Sequence, residues 1–148
     1  AAIATVLEAQ PDIFNHNVET VPRLYPPVRP QADYEQSLAV LAAGARLAPA
    51  GRRIYVKSGI MLGLGERDDE IEAVLADLRD AGCEILTLGQ YLAPSPAHFP
   101  VAEFVEPDRF DRWGERARQI GFASVASGPF VRSSYQAESV FAQRKCEE

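Results

Sequence analysis

The chain has 148 residues, with 15 Lys plus Arg against 21 Asp plus Glu, a net charge of −6 and an apolar fraction of 47%. That length suggests one domain, and the acidic balance, with a pI near 5.0, excludes a surface built to wrap a phosphate backbone. No apolar run reaches the roughly 18 residues of a membrane span, no basic segment leads into an apolar one as in a secretory signal, and Cys83 and Cys146 are too few for a disulfide framework. The expectation is a soluble, cytoplasmic domain (organelle matrix if the source is eukaryotic) that takes no nucleic acid and enters no membrane.

The chain opens on Ala1 and runs straight into AAIATVLEAQ, where Ile3, Val6 and Leu7 share one helical face with no cap before them. This reads as the end of an amphipathic helix and as the later part of something longer. Ile13 to Glu19, bounded by Pro11 and Pro22, reads as a short strand with a polar end. Val21 to Ala32 carries four prolines, which argue against a regular helix or central strand. A helix is predicted from Asp33, with Gln36 completing a capping-box variant and Tyr34, Leu38, Leu41 and Ala45 as its stripe; Pro49 and Gly51 end it. Arg53 to Gly63 is nearly continuous in apolar residues apart from Lys57 and Ser58, as in a parallel strand covered on both faces.

A helix over Asp68 to Ala81 follows, with acids in its first turn, the stripe Ile71, Val74, Leu75 and Leu78, and Gly82 just past its end. Glu84 to Leu92 is a third strand, Ala93 to Glu106 a Pro-rich loop, and Pro107 a helix start. Phe110, Trp113, Ala117 and Ile120 form the last helical stripe, Gly121 closes it, and Phe122 to Gly128 is a fourth strand. Strand and helix alternating at this spacing predict an α/β fold of right-handed βαβ units on a parallel sheet.

Ligands in such sheets sit beyond the carboxyl ends of the strands. That end gathers Asn15, His16, Asn17 and Glu19, then Gly63, Gly65 and Glu66, then Gln90, Tyr91 and Ser95. The NHNVET string concentrates amide, imidazole and carboxylate groups able to hold a polar small molecule, although asparagines also serve strand ends by satisfying backbone groups. His16 and His98 share no metal-ligand spacing with each other or with a cysteine. GIMLGLGE (Gly59 to Glu66) carries three glycines but not G-x-G-x-x-G, and the helix after it opens with acids. A dinucleotide phosphate loop is therefore rejected, and an uncharged nucleoside or an amino group suits that rim better.

Together, FNHNVETVPRLYPPVRPQADYEQSL, KSGIMLGLGE, ILTLGQYLAPSPAHFPV and GFASVASGPFVRSSY resemble the lipoyl synthase family, in that family's order and over nearly the whole chain. The resemblance implies the carboxyl-terminal half of a partial (β/α)6 radical S-adenosylmethionine barrel over residues 1–128, with a tail over 129–148. It implies an enzyme that inserts two sulfur atoms, at C6 and C8, into an octanoyl chain held on a lipoyl carrier domain. The intact family enzyme uses S-adenosylmethionine and two 4Fe–4S clusters, one to generate a 5′-deoxyadenosyl radical and one as sulfur donor.

Carried over by motif, the implied cofactor-binding residues are Asn15, Asn17, Glu19, Arg29, Lys57, Gly59, Met61, Gly63, Gln90 and Leu92. Arg29 is the candidate for the methionine carboxylate and Arg23 the second choice; Ser134 of RSSY is the implied cluster ligand, with Ser133 as fallback. The family's C-x-x-x-C-x-x-C motif and second cysteine triplet are absent from this sequence, and Gln136 stands where the family usually has histidine. The chain alone is thus expected to hold no cluster and to need a cluster-bearing amino-terminal half. The alternative is a non-catalytic remnant, a half barrel whose open sheet edges favour self-association; a free-standing nucleoside-binding α/β protein is a third reading.

Overall fold

The computed structural model describes residues 2–132. In chain order these form α1 (Ala2–Glu8), β1 (Ile13–Asn15), a 3-10 turn (Pro22–Leu24), α2 (Tyr25–Val28), α3 (Tyr34–Arg46), β2 (Tyr55–Leu62), α4 (Asp68–Asp80), β3 (Ile85–Gln90), α5 (Pro107–Ile120) and β4 (Ser124–Ser127). The four strands are all parallel and lie in sequential order, β1-β2-β3-β4. Each crossover therefore steps to the adjacent position, as in a segment of a TIM-like barrel.

Local signals account for the helices. Asp33 accepts the Gln36 N–H at 2.8 Å and caps α3. Glu70 accepts the Arg67 N–H at 2.8 Å, closing the first turn of α4. Pro107 opens α5, and Gly121, at φ 119°, ends it in the left-handed conformation. The long helices pack their apolar stripes on one side of the sheet. Leu41, Ile71, Val74, Leu75, Leu78, Phe110 and Ala117 join Val56, Ile60, Leu62, Leu86 and Leu88 in a single core, as the period-two alternation of strands requires.

Two expectations change. The strand predicted over Ile13 to Glu19 is regular only as far as Asn15. Asn15 pairs with Lys57 but Glu19 pairs with Ile60, so four steps on one strand match three on the other. The extra residue is a bulge. His16 N–H still reaches Lys57 O (3.1 Å), whereas Glu19 takes over Gly59 O (3.0 Å) and the Val18 N–H is met by the Ser58 hydroxyl (3.3 Å). Glu19 adopts φ 69°, uncommon for a residue with a side chain.

The proline-rich stretch also holds more helix than predicted, a 3-10 turn and the single turn of α2. Pro22 opens the first, and a proline stands in the opening positions of α2. At those positions the missing N–H would have had no helical partner anyway.

Candidate functional site

The other side of β2 and β3 has a different character. Alternation puts Tyr55, Lys57, Gly59 and Met61 of β2 beside Ile85, Thr87 and Gly89 of β3 on that face. Towards its carboxyl end lies a cavity of about 180 Å³ lined by Asn17, Glu19, Gly59, Ile60, Met61, Thr87, Gly89, Gln90, Leu92, Val131 and Arg132. Of the ten cofactor residues implied by motif, six line it: Asn17, Glu19, Gly59, Met61, Gln90 and Leu92.

The bulge explains how Asn17 and Glu19 come to be there. It is anchored on both sides, with Glu19 receiving the Met61 N–H at 2.8 Å while donating to Gly59. Among the described residues no hydrogen-bond partner meets the buried Asn17 Oδ1, His16 Nε2 or Thr20 Oγ1. An unpaired buried acceptor is costly, so Asn17 presents a vacant acceptor at the cavity wall. Gly59 makes the floor flat. A methyl group there would lie 2.6 Å from Thr87 Oγ1 and 3.2 Å from Asn17 Oδ1.

Gln90 shapes the cavity differently. Its Nε2 donates to the carbonyls of Tyr91 and Glu103, both at 2.9 Å, and its Oε1 accepts the Val105 N–H at 2.9 Å. With its amide spent in this way, Gln90 fastens the Pro-rich loop to the strand end. Gly63 cooperates. Its carbonyl accepts the Ala102 and Glu103 N–H groups, and its φ of 103° leaves its own position bare beneath Gln90. Tyr91 O–H adds a bond to Phe99 O at 2.6 Å.

Four motif residues stand outside the lining. Asn15 is exposed at the end of β1. Gly63 lies one step beyond β2, under Gln90. Lys57 is buried in mid-strand, and that burial lowers its pKa. Arg29 donates to Val18 O (3.1 Å) and Tyr25 Oη (3.2 Å), and lies 5.4 Å from the Tyr25 ring centroid. Arg23, the second choice, is tied to Glu70 at 2.6 Å and to Gly65 O at 2.9 Å. Burial, and then the Arg29 charge, lowers the His16 pKa and favours neutral imidazole. Ser95 Oγ and His98 Nδ1 meet at 2.8 Å in an exposed turn of the loop. Ser133, Ser134, Gln136 and Cys146 lie outside the described residues.

The cavity residues that motif reading missed are Thr87, Gly89, Val131 and Arg132, together with Ile60, whose side chain belongs to the core. For the first two the parallel register was the missing information, since Gly59 pairs with Thr87 and Met61 with Gly89. For Arg132 the string GPFVRSSY supplied the residue but not its place.

The glycine loop carries its own anion. Glu66 accepts the Gly63 and Leu64 N–H groups at 2.7 and 2.9 Å while only 8% exposed. Those donors are thus unavailable to a phosphate, in keeping with the rejected dinucleotide loop. The described residues contain no group of three or more His, Cys, Asp or Glu able to hold a metal. Cys83 is fully buried, and its burial pushes the thiol up to about 12; it is unsuited to ligate iron as a thiolate. No helix among the described residues is long and apolar enough to cross a membrane.

Sequential parallel strands, helices on one side and a polar cavity at the carboxyl ends define part of a TIM-like α/β barrel. The search of family models finds no match, but curated relatives are numerous. The chain is 57% identical over 140 residues to the lipoyl synthase of Acidithiobacillus ferrooxidans (strain ATCC 53993 / BNL-5-31), covering 95% of this chain and 43% of that protein. It is 53% identical over 137 residues to that of Caldicellulosiruptor saccharolyticus (93% and 47%) and 53% over 146 to that of Desulfotalea psychrophila (99% and 47%). The chain is a relative of the lipoyl synthases along nearly its whole length. It spans somewhat under half the length of these relatives and corresponds to their carboxyl-terminal part.

Proposed function

We propose that the chain is the carboxyl-terminal part of a lipoyl synthase and supplies one wall of its S-adenosylmethionine site. The observation that carries this reading is the meeting of six motif residues in one cavity at the carboxyl end of the sheet. Asn17 offers a buried acceptor, Glu19 a carboxylate, Gly59 a floor on which a sugar or ring can lie against the backbone, and Met61 and Leu92 apolar surface. At about 180 Å³ the cavity is smaller than the roughly 300–1,000 Å³ of ordinary small-molecule sites. A nucleoside with an amino-acid arm would fill it only in part, which suits a site completed by a second wall.

The cofactor would supply hydrogen abstraction after reductive cleavage. The residues here would bind and orient it. Among the described residues nothing fits either cluster, so the reading assigns iron–sulfur chemistry to a cysteine-bearing amino-terminal part. Ser134, in the tail proposed over 129–148, is kept as the single ligand contributed from this side. The substrate would be an octanoylated lysine on a lipoyl carrier domain.

The test supplies a cysteine-bearing amino-terminal part of a related enzyme, reconstituted anaerobically with iron and sulfide, together with S-adenosylmethionine and octanoylated carrier. The expected products are 5′-deoxyadenosine and a carrier bearing two added sulfur atoms, read by mass spectrometry. Ser134→Ala should abolish sulfur insertion. Absence of 5′-deoxyadenosine with the partner's clusters confirmed by absorbance would reject the two-part enzyme in favour of a non-catalytic half barrel.

A further inference from the structure

The segment after β4 folds back across the sheet and becomes a wall of the cavity. Gly128 N–H bonds to Leu88 O at 3.1 Å, and Val131 N–H bonds back to Gly128 O at 3.2 Å. Phe130 stands 86% exposed at the apex of this strap, while Val131 is 8% exposed. Beneath it lies Gly89. A methyl group at Gly89 would collide with the Val131 carbonyl oxygen and lie 3.2 Å from its carbon and 3.8 Å from Arg132 Nη1. The obstruction is backbone, which cannot rotate aside as a side chain does. By contrast, a methyl at Gly128 would meet only Val131 Cγ2, at 3.6 Å, an ordinary contact, and its φ is not positive. Arg132 donates to Val131 O at 3.0 Å and lines the cavity, and among the described residues no carboxylate pairs with it.

From this the structure assigns Gly89 as a positioning residue. Its bare backbone is the seat on which residues 128–132 rest, and that seat delivers the Arg132 guanidinium to the cavity. Arg29 and Arg23 are occupied elsewhere, so Arg132 is the cation the described cavity offers to a carboxylate on its ligand. The role given to Arg132 rests on the proposed ligand site; the seat does not.

The full chain can be tested with trypsin, which cuts after arginine. Gly89→Ala should raise the rate of cleavage at Arg132 about tenfold, because a protease needs the residues before the cut extended and Val131 then leaves its seat. Cleavage at the exposed Arg52 and Arg53 serves as internal reference and should not change. Gly128→Ala should leave both rates alone. If Gly89→Ala does not fold, Val131→Ala tests the same seat from the strap side and should release it with the sheet intact. An unchanged rate at Arg132 in Gly89→Ala, or in its stand-in, overturns the seat.

The ligand arm uses calorimetric titration with S-adenosylmethionine. Gly89→Ala and Arg132→Ala should weaken binding by similar factors, and the double variant by no more than either alone. Losses that multiply would show that Gly89 does not act through Arg132 and overturn that assignment. Failure of the unaltered chain to bind S-adenosylmethionine would reject the cofactor-site reading and, with it, the role of Arg132, while trypsin still decides the seat.

Discussion

The two faces of β2 and β3 are written in the same residues, one step out of phase, and they have opposite compositions. On the helix side Val56, Ile60, Leu62, Leu86 and Leu88 are at most 2% exposed and meet the stripes of α3, α4 and α5. On the cavity side stand Lys57, Gly59, Thr87 and Gly89, with a bulge at the edge and a strap above. The helix side is filled by branched side chains; the other side is filled by Tyr55 and Ile85 at its amino end and loses its side chains at Gly59 and Gly89, where the cavity lies. One face therefore governs stability and the other governs what can approach the backbone.

The strongest way to break this contrast is to truncate the helix face. Leu86, fully buried in the centre of the core, should lose about 2–5 kcal/mol on replacement by Ala, the range for buried leucines. Urea unfolding followed by circular dichroism reads it; a loss below about 1 kcal/mol would mean that the core is not closed around β3. Glu66 sits where β2 leaves the sheet and tests the boundary between the faces. Glu66→Gln keeps the size but removes the charge that two backbone N–H groups point at. Charge-assisted bonds contribute roughly 1.5–3 kcal/mol, so a drop of about 1–2 kcal/mol is expected in the same assay, and no change would deny the turn its internal anion.

Gly59→Ala sharpens the contrast rather than breaking it. The new methyl meets Thr87 Oγ1 and Asn17 Oδ1, both on the cavity side, and leaves the helix face untouched. S-adenosylmethionine affinity should fall by about tenfold, equivalent to ~1.4 kcal/mol, with an unfolding midpoint close to that of the unaltered chain. A variant that binds normally but unfolds early would place Gly59 in the core and undo the assignment of faces.

Helices and the parallel sheet were legible because each long element carries its own period and punctuation: Asp33 before α3, Pro107 at the start of α5, Gly121 after it. The glycine loop was half legible. Its acids argued against phosphate, but Glu66 turning back onto the Gly63 and Leu64 N–H groups is a tertiary fact. Three features were hidden. The bulge between Asn15 and Glu19 adds one residue without a glycine to mark it. Gln90 is a polar residue at a strand end, and only the fold shows its amide turned onto the Pro-rich loop. Arg29 and Arg23 are the carboxylate partners the string suggests; packing sends the first to Val18 and Tyr25 and the second to Glu70 and Gly65, and puts Arg132 at the cavity instead.

The smallest effect belongs to the outer surface, away from both faces. Hydrogen bonds from Arg23, and then from the Arg67 backbone, hold the Glu70 carboxyl at about 2, below its ordinary 4.5. A carboxyl depressed on folding stabilises the folded state when ionised. That contribution is therefore fully present above about pH 4.5 and is lost as pH falls from there towards 2. The effect should be slight, because Arg23 is 47% exposed and solvent screens such pairs. The Arg23 link nevertheless ties the proline-rich segment to α4 and to the carbonyl of Gly65. Urea midpoints measured from pH 6 to about 2.5 should decline less steeply for Glu70→Gln than for the unaltered chain. Parallel curves would show that this pair is spectator to folding, leaving acid sensitivity to other carboxylates such as Glu72, which Arg116 likewise holds low.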